Sequence, residues 1–336
     1  MIHGTVAPGF EDVREAFALD HGGGAQLAVH QHGVPVVDLW TGWAPDRIAL
    51  TMSCTKALVA ICAHLLAERG DLDLDAPVSR YWPGFRAELP VSYLLSHRAG
   101  LPAFDLDGED LLDWDRCTST LAAMAPRWTP GTAFAYHSTT FGYLVGEVIR
   151  RVTGTTAGRF FDEEIARPLG LDLWIGLPAE QEHRVAPIGP HRTELAELLT
   201  TRAGRAAEIP SANGIGDARS LAKLYSSVLN GLLGSATLDR ACAPQTDGLP
   251  TPAVMPHPQR FALGFELTRS ASPLLGAASF GHAGAGGRLA FADRETGLAV
   301  GYVCAHSGWN PGQGPDPRWL PWLRALSRRR GGPATR

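Results

Sequence analysis

Strand-like and helix-like patterns are unevenly spread along this chain, and that unevenness limits the folds open to it more than any other feature. Near the start, Ala25-Gln26-Leu27-Ala28-Val29-His30 and Val34-Pro35-Val36-Val37-Asp38-Leu39-Trp40, with Gln31-His32-Gly33 between, predict a strand, a turn and a second strand. Near the end, Phe261 to Thr268, Arg288 to Ala292 and Leu298 to Ala305 read as strands, the last two joined by the hairpin turn Asp293-Arg294-Glu295-Thr296-Gly297. Between them, from about Asp71 to Gly204, helical patterns are broken by Pro and Gly turns. The expected fold class is α/β of the α+β kind. One antiparallel sheet is assembled from residues 1–78 and 206–336 and flanked by helices, a mostly helical region spans 79–205, and the site lies in the cleft between them.

Helix signals are local and strong. From Thr55 to Arg69 the apolar positions Leu58, Val59, Cys62, Leu65 and Leu66 recur at spacings of three and four, predicting a helix with one buried face that Gly70 ends. Others are expected at Glu11 to Ala18, from Thr139 to Val152 with Gly154 closing, through Leu221, Leu224, Tyr225 and Val228, after which the chain turns strand-like, and from Pro317 to Arg330. Ala243 to Pro258, rich in Pro and Gly, reads as a surface loop. The chain has 336 residues, 45% of them hydrophobic, so it can bury a large core, and its nine Trp can line a pocket or fill that core, the core being the preferred reading.

A formal charge of -4 gives no basic field for a polyanion, so nucleic acid is not an expected partner. Arg324, Arg328, Arg329 and Arg330, followed by Gly331-Gly332-Pro333, read as a solvated tail. Five cysteines without a close CxxC pair argue against a disulfide framework. No basic, then apolar, leader and no membrane-length apolar run is present, so a soluble cytoplasmic protein is expected.

Within Ser53-Cys54-Thr55-Lys56, serine and lysine sit at i and i+3 of a helix start, so the amine reaches the hydroxyl. An alcohol is a poor nucleophile until a base takes its proton, and lysine serves as that base only when burial or nearby cations disfavour its charge. The helix start adds N–H groups for a carbonyl oxygen. The plain alternative makes Ser53 an N-cap and Lys56 a solvated charge. Tyr136-His137-Ser138 precedes the Thr139 helix in a polar turn, where a phenol can relay protons; alternatively Tyr136 packs in the core and Ser138 caps the helix. In Phe280-Gly281-His282-Ala283-Gly284-Ala285-Gly286-Gly287, glycine density lets substrate approach a backbone strand, with the Ala285 N–H as an oxyanion donor, although such glycines also serve bulges and turns.

Taken in order, Ser-x-x-Lys, Tyr-x-Ser and His-x-Gly form the three-part arrangement of serine β-lactamases and penicillin-binding proteins. The chain resembles the class C β-lactamase-like serine hydrolases, particularly their bacterial carboxylesterases. Leu94-Leu95-Ser96-His97-Arg98-Ala99-Gly100-Leu101-Pro102, Trp128-Thr129-Pro130-Gly131 and Asn213-Gly214-Ile215-Gly216 extend the resemblance from about residue 9 to about residue 305. It implies a β-lactamase/penicillin-binding-protein-like fold and an acyl-enzyme on Ser53 activated by Lys56 and Tyr136. It also implies an oxyanion held by the amides of Ser53 and Ala285, substrate contacts at Ser138, His282 and Gly284, and no metal or organic cofactor.

The pattern also departs from antibiotic-hydrolysing members, whose third motif begins with lysine and whose second ends in asparagine. His282 and Ser138 stand there instead, and a histidine largely neutral near pH 7 is a poor carboxylate anchor, so weak or absent β-lactamase activity is expected. Cys54, a short Trp82 to Val91 stretch and Arg288 in place of a small polar residue are further departures. They keep a transacylase or amide synthase open beside an esterase acting on small esters or amides, as well as a binding protein that has lost its chemistry. The oligomeric state is not legible.

Overall fold

The computed structural model describes residues 1–18, 23–189, 193–252, 259–270, 272–309 and 314–329. A seven-stranded sheet runs in the order β1-β3-β2-β10-β9-β8-β7, antiparallel throughout. Its strands are β1 (Ile2–Val6), β2 (Ala25–Gln31), β3 (Val34–Thr41), β7 (Glu266–Leu267), β8 (Ser279–Gly284), β9 (Arg288–Asp293) and β10 (Leu298–Cys304). The first and last parts of the chain meet where β2 pairs β10, Val29 opposite Val300. The hairpins expected on either side of Gly33 and of Gly297 are present.

A second sheet was not foreseen. It holds β4 (Ala49–Leu50), β5 (Leu173–Ile175) and β6 (Gly214–Gly216) in the order β4-β6-β5. These strands are too short for a period-2 signal, and Gly-Ile-Gly has little strand propensity. β1 was also missed; it is an edge strand whose pairing to β3 is set by the sheet rather than by its own pattern.

The helices are α1 (Glu11–Ala16), α2 (Thr55–Arg69), α3 (Val91–Leu95), α4 (Trp114–Ala123), α5 (Thr140–Thr153), α6 (Ala157–Phe161), α7 (Arg167–Leu169), α8 (Glu194–Leu198), α9 (Arg202–Ala206), α10 (Ala218–Ser227), α11 (Ser235–Cys242) and α12 (Leu320–Ser327). On one side of the large sheet, Val13 of α1 and Trp322, Leu323 and Leu326 of α12 pack with Leu27, Val29, Val300 and Tyr302. On the other, α10 comes so close to β10 that a Cβ at Gly301 would overlap the Ala218 carbonyl.

Four expectations need correction. α2 has no solvated face along most of its length: every residue from Thr55 to Leu66 is buried, because the helix is packed among the sheet, α5 and α6. The chain does not turn strand-like directly after α10, since Ser235–Cys242 is helical. The strand expected from Phe261 to Thr268 shrinks to Glu266–Leu267 because Gly264, at φ +88°, turns the backbone and Ala262 N–H donates to the Phe265 carbonyl. The basic tail is not free: Arg329 pairs with Asp12 and lies 5.0 Å from the Phe10 ring centre, and Arg328 reaches Asp12 at 3.5 Å. Arg330 and residues 253–258 of the expected loop lie outside the described residues.

All five cysteines are unpaired. No helix among the described residues is long and apolar enough to cross a membrane.

Candidate active site

Ser53 lies in a single 3-10 turn, Met52–Cys54, that runs straight into α2. Met52 holds φ at +51°, an uncommon angle for a residue with a side chain, and this bend presents Ser53 half-buried while its neighbours are covered. The bend is braced from behind by β6. Thr51 N–H donates to the Gly214 carbonyl at 2.8 Å, and Gly214 N–H donates to Thr55 Oγ1 at 2.8 Å. A Cβ on Gly214 would sit 2.6 Å from Thr51 Oγ1, so this contact needs glycine. Asn213 holds the segment in place, its Oδ1 accepting from Ile209 N–H at 2.9 Å.

Lys56, one turn on, is fully buried. Its Nζ lies 3.3 Å from Ser53 Oγ, 2.7 Å from the Ser138 carbonyl and 2.9 Å from the Ser211 carbonyl. No carboxylate among the described residues joins them, and burial drives the amine well below the usual lysine range. Tyr136 hydroxyl donates to Ser53 Oγ at 2.7 Å, and burial pushes the phenol up, so it stays protonated. The Lys56 amine also sits 4.7 Å from the Tyr136 ring centre. Such a trio can pass a proton from the hydroxyl to the amine and on through the phenol.

Two histidines that sequence reasoning left without a role hold Tyr136. His97, in the left-handed region at φ +61°, accepts the His137 N–H on Nδ1 at 3.0 Å. His137 donates from Nδ1 to the Ala135 carbonyl at 2.7 Å and accepts Leu101 N–H on Nε2 at 3.1 Å. Each ring therefore uses a protonless nitrogen, and protonation would break a backbone bond. Burial lowers both, His137 to about 4. The Tyr136 ring stacks on Phe261 at 5.8 Å.

The third motif forms the end of β8. His282 is buried, its Nδ1 2.7 Å from the Ala283 carbonyl, and its Nε2 has no partner among the described residues. Burial lowers it to about 4, so it is neutral despite Glu266 at 4.0 Å. The Glu266 carboxylate instead accepts from Arg269 at 3.0 Å and from Ala283 N–H at 3.2 Å. A Cβ on Gly284 would lie 2.5 Å from the Thr51 carbonyl, which brings β8 against the Ser53 turn; Cys54 Sγ donates to the His282 carbonyl at 3.1 Å. Ala285 follows, half-buried, its N–H engaged by no other group among the described residues.

Lys56, Tyr136, Ser138 and the end of β8 that carries His282 and Gly284 thus gather at the Ser53 turn. Ser138 does so in an unexpected way: its side chain is exposed and forms no N-cap, while its carbonyl holds Lys56. Ser211 gave no signal, because a backbone carbonyl leaves none. His97 could have been found from its place in the Leu94 to Pro102 segment. Among the described residues no group of three or more His, Cys, Asp or Glu is placed to hold a metal ion.

The family model described as Beta-lactamase matches residues 13–320. Esterase/beta-lactamase LipL of Mycobacterium tuberculosis is 34% identical, over 90% of this chain and 82% of that protein. The crystal structure of a family VIII carboxylesterase matches with a TM-score of 0.87 at 34% identity, over 98% of this chain and 100% of its own. A penicillin-binding protein homologue from Caulobacter crescentus matches with a TM-score of 0.88, also at 34% identity, over 98% and 100%. With its three motifs folded around one serine and a match across most of its length, the chain belongs to the beta-lactamase family.

Proposed function

We propose that this protein is a serine carboxylesterase working through an acyl-enzyme on Ser53. The observation that carries the reading is the environment of Lys56. A neutral amine has two N–H bonds and one lone pair; the carbonyls of Ser138 and Ser211 take the two N–H bonds, leaving the lone pair for the third neighbour, the Ser53 hydroxyl. Lys56 takes the Ser53 proton as Oγ bonds to the ester carbonyl carbon. The carbonyl electron pair moves to oxygen, facing the amides of Ser53 and Ala285. The intermediate collapses, the alkoxide leaves, and Tyr136 passes it a proton that Lys56 replenishes. Water then enters and loses a proton to the same amine as its oxygen bonds to the acyl carbon; the C–Oγ bond breaks, the amine returns the proton to Ser53 Oγ, and the acid leaves.

The site in this reading lies where a sheet unit, 1–78 with 206–336, meets a helical unit, 79–205. The names of the esterase and carboxylesterase relatives support an ester as substrate. A neutral His282 where a cation would anchor a carboxylate supports uncharged esters over β-lactam acids. The free cysteines and net charge of -4 fit a cytoplasmic enzyme of small molecules.

The transacylase reading loses part of its support, because two of the departures behind it turn inward: Cys54 is a packed thiol bonded to His282 and Arg288 is buried. The test is turnover of p-nitrophenyl acetate and butyrate by wild type and Ser53→Ala, with nitrocefin and a primary amine as added arms. Ser53-dependent release of nitrophenol, little nitrocefin turnover and no acceleration by amine are expected. Equal activity in Ser53→Ala would overturn the reading, efficient nitrocefin hydrolysis its substrate class, and amine acceleration its preference for water.

A further inference from the structure

Arg288 opens β9 directly after Gly286 and Gly287, and nothing in the proposed chemistry uses it. Its side chain turns into the core and is 0% exposed. Burying a guanidinium is costly unless its donors are met, and a carboxylate ordinarily meets them. Here the nearby Asp316 pairs with Arg318, and Arg288 is held by backbone carbonyls instead. Nε donates to Leu50 at 3.2 Å, and Nη1 donates to Ala285 at 3.0 Å and to His306; Nη2 has no partner among the described residues.

The three carbonyls come from three separate stretches of chain. Leu50 ends β4 and is three residues ahead of Ser53, Ala285 follows β8, and His306 follows β10. The glycines around them keep the space open for this grip. A Cβ on Gly284 would lie 3.1 Å from that of Arg288 and 3.2 Å from that of Met52, and one on Gly286 would overlap Nη1.

We propose that Arg288 is a positioning residue for the oxyanion site, gripping the Leu50 and Ala285 backbones from the core and so setting the spacing of the Ser53 and Ala285 amides. The inference rests on the reading of those amides as oxyanion donors. Donors stabilise a developing charge only if they are fixed before it appears, and a misplacement of about 1 Å can cost about 100-fold in rate. A planar fork spanning two carbonyls fixes that spacing in a way a point-like ammonium does not.

Arg288→Met, Arg288→Lys and Ser53→Ala test this with p-nitrophenyl butyrate and with phenylboronic acid, whose tetrahedral adduct on Ser53 places an oxygen among the same donors. Folded Arg288→Met is expected to lose about 10- to 100-fold in kcat with KM within about threefold, and to weaken the boronate by a similar factor. Arg288→Lys is expected to lose about tenfold in kcat and a similar factor in boronate affinity, with KM within about threefold. If the Met variant fails to fold, the Lys variant decides: wild-type kcat or wild-type boronate affinity in it overturns the proposal, and a joint loss of kcat and boronate affinity with KM within about threefold supports it. A folded Met variant with unchanged kcat, or with intact boronate affinity, likewise overturns it while leaving Ser53 as nucleophile. Full activity in Ser53→Ala removes the underlying reading and the proposal together.

Discussion

Two ionisable side chains buried within the helical core, Lys56 on α2 and Glu147 on α5, are treated by the fold in opposite ways. Glu147 is met by Arg150 at 2.7 and 2.9 Å, Arg151 at 2.6 Å and the Trp114 indole at 2.8 Å. Burial pushes its carboxyl up, but the hydrogen bonds from Arg150, Trp114 and Arg151 outweigh that and hold it below the ordinary value. It stays charged and ties α5 to α4. Among the described residues, the hydrogen-bond partners of Lys56 are two carbonyls and a hydroxyl, so burial strips its proton instead. Burial with a counter-charge makes a structural node, whereas burial without one makes a base.

Substitutions can break this contrast. Lys56→Met, which keeps length and removes the amine, should lower ester turnover by about 1000-fold or more while moving Tm by no more than about 5 °C, because a desolvated amine adds little stability. A large loss of Tm with modest loss of rate would make Lys56 the structural node. Glu147→Ala should do the reverse. It orphans the Trp114 N–H but leaves Arg150 and Arg151, 38% and 37% exposed, free to reach water, so a loss of about 2 kcal/mol is expected in chemical denaturation, with kcat within about threefold. Tyr136→Phe keeps the ring on Phe261 and removes one donor to Ser53; kcat should fall about 100-fold with little change in KM.

Acid sharpens the comparison more gently. His64, His137 and His282 are lowered by burial from 6.5 to about 4, so the unfolded chain binds more protons than the folded one between those values. Their contribution is complete above pH 6.5 and is lost as pH falls toward 4, on the order of 3 kcal/mol per imidazole at most. Glu147, held low, acts in the same sense, since its contribution is present above its unfolded value and lost as pH falls through the folded one. Melting temperature should therefore decline steadily over that range; a flat profile from pH 7 to pH 4 contradicts the account of neutral, protonless ring nitrogens.

How much of this the sequence disclosed follows the reach of each signal. α2, α5 and the hairpins at Gly33 and Gly297 were legible because periodicity, a C-terminal glycine and a turn all lie within a few residues. Ser53, Lys56 and Tyr136 were legible as types and spacings. The Ser211 carbonyl, the His97–His137 latch, the β4-β6-β5 sheet and the inward turn of Arg288 were not, because each is defined by partners far along the chain: Lys56 and Ser211 are 155 positions apart, Arg288 and Leu50 238. Local pattern also misled at Arg329, where a run of charges hid a specific partner in Asp12.

The most direct test of the central claim, that Lys56 is an uncharged base for Ser53, is the rate at which an activated ester acylates the protein, followed by intact mass as a function of pH in wild type and Lys56→Met. The account predicts one added acyl group, formed at a rate that rises through a single ionisation well below 10.5 and then levels, with the slope and nearly all of the rate absent in Lys56→Met. A rate still climbing at pH 10.5, or an equally fast Lys56→Met variant, would contradict it.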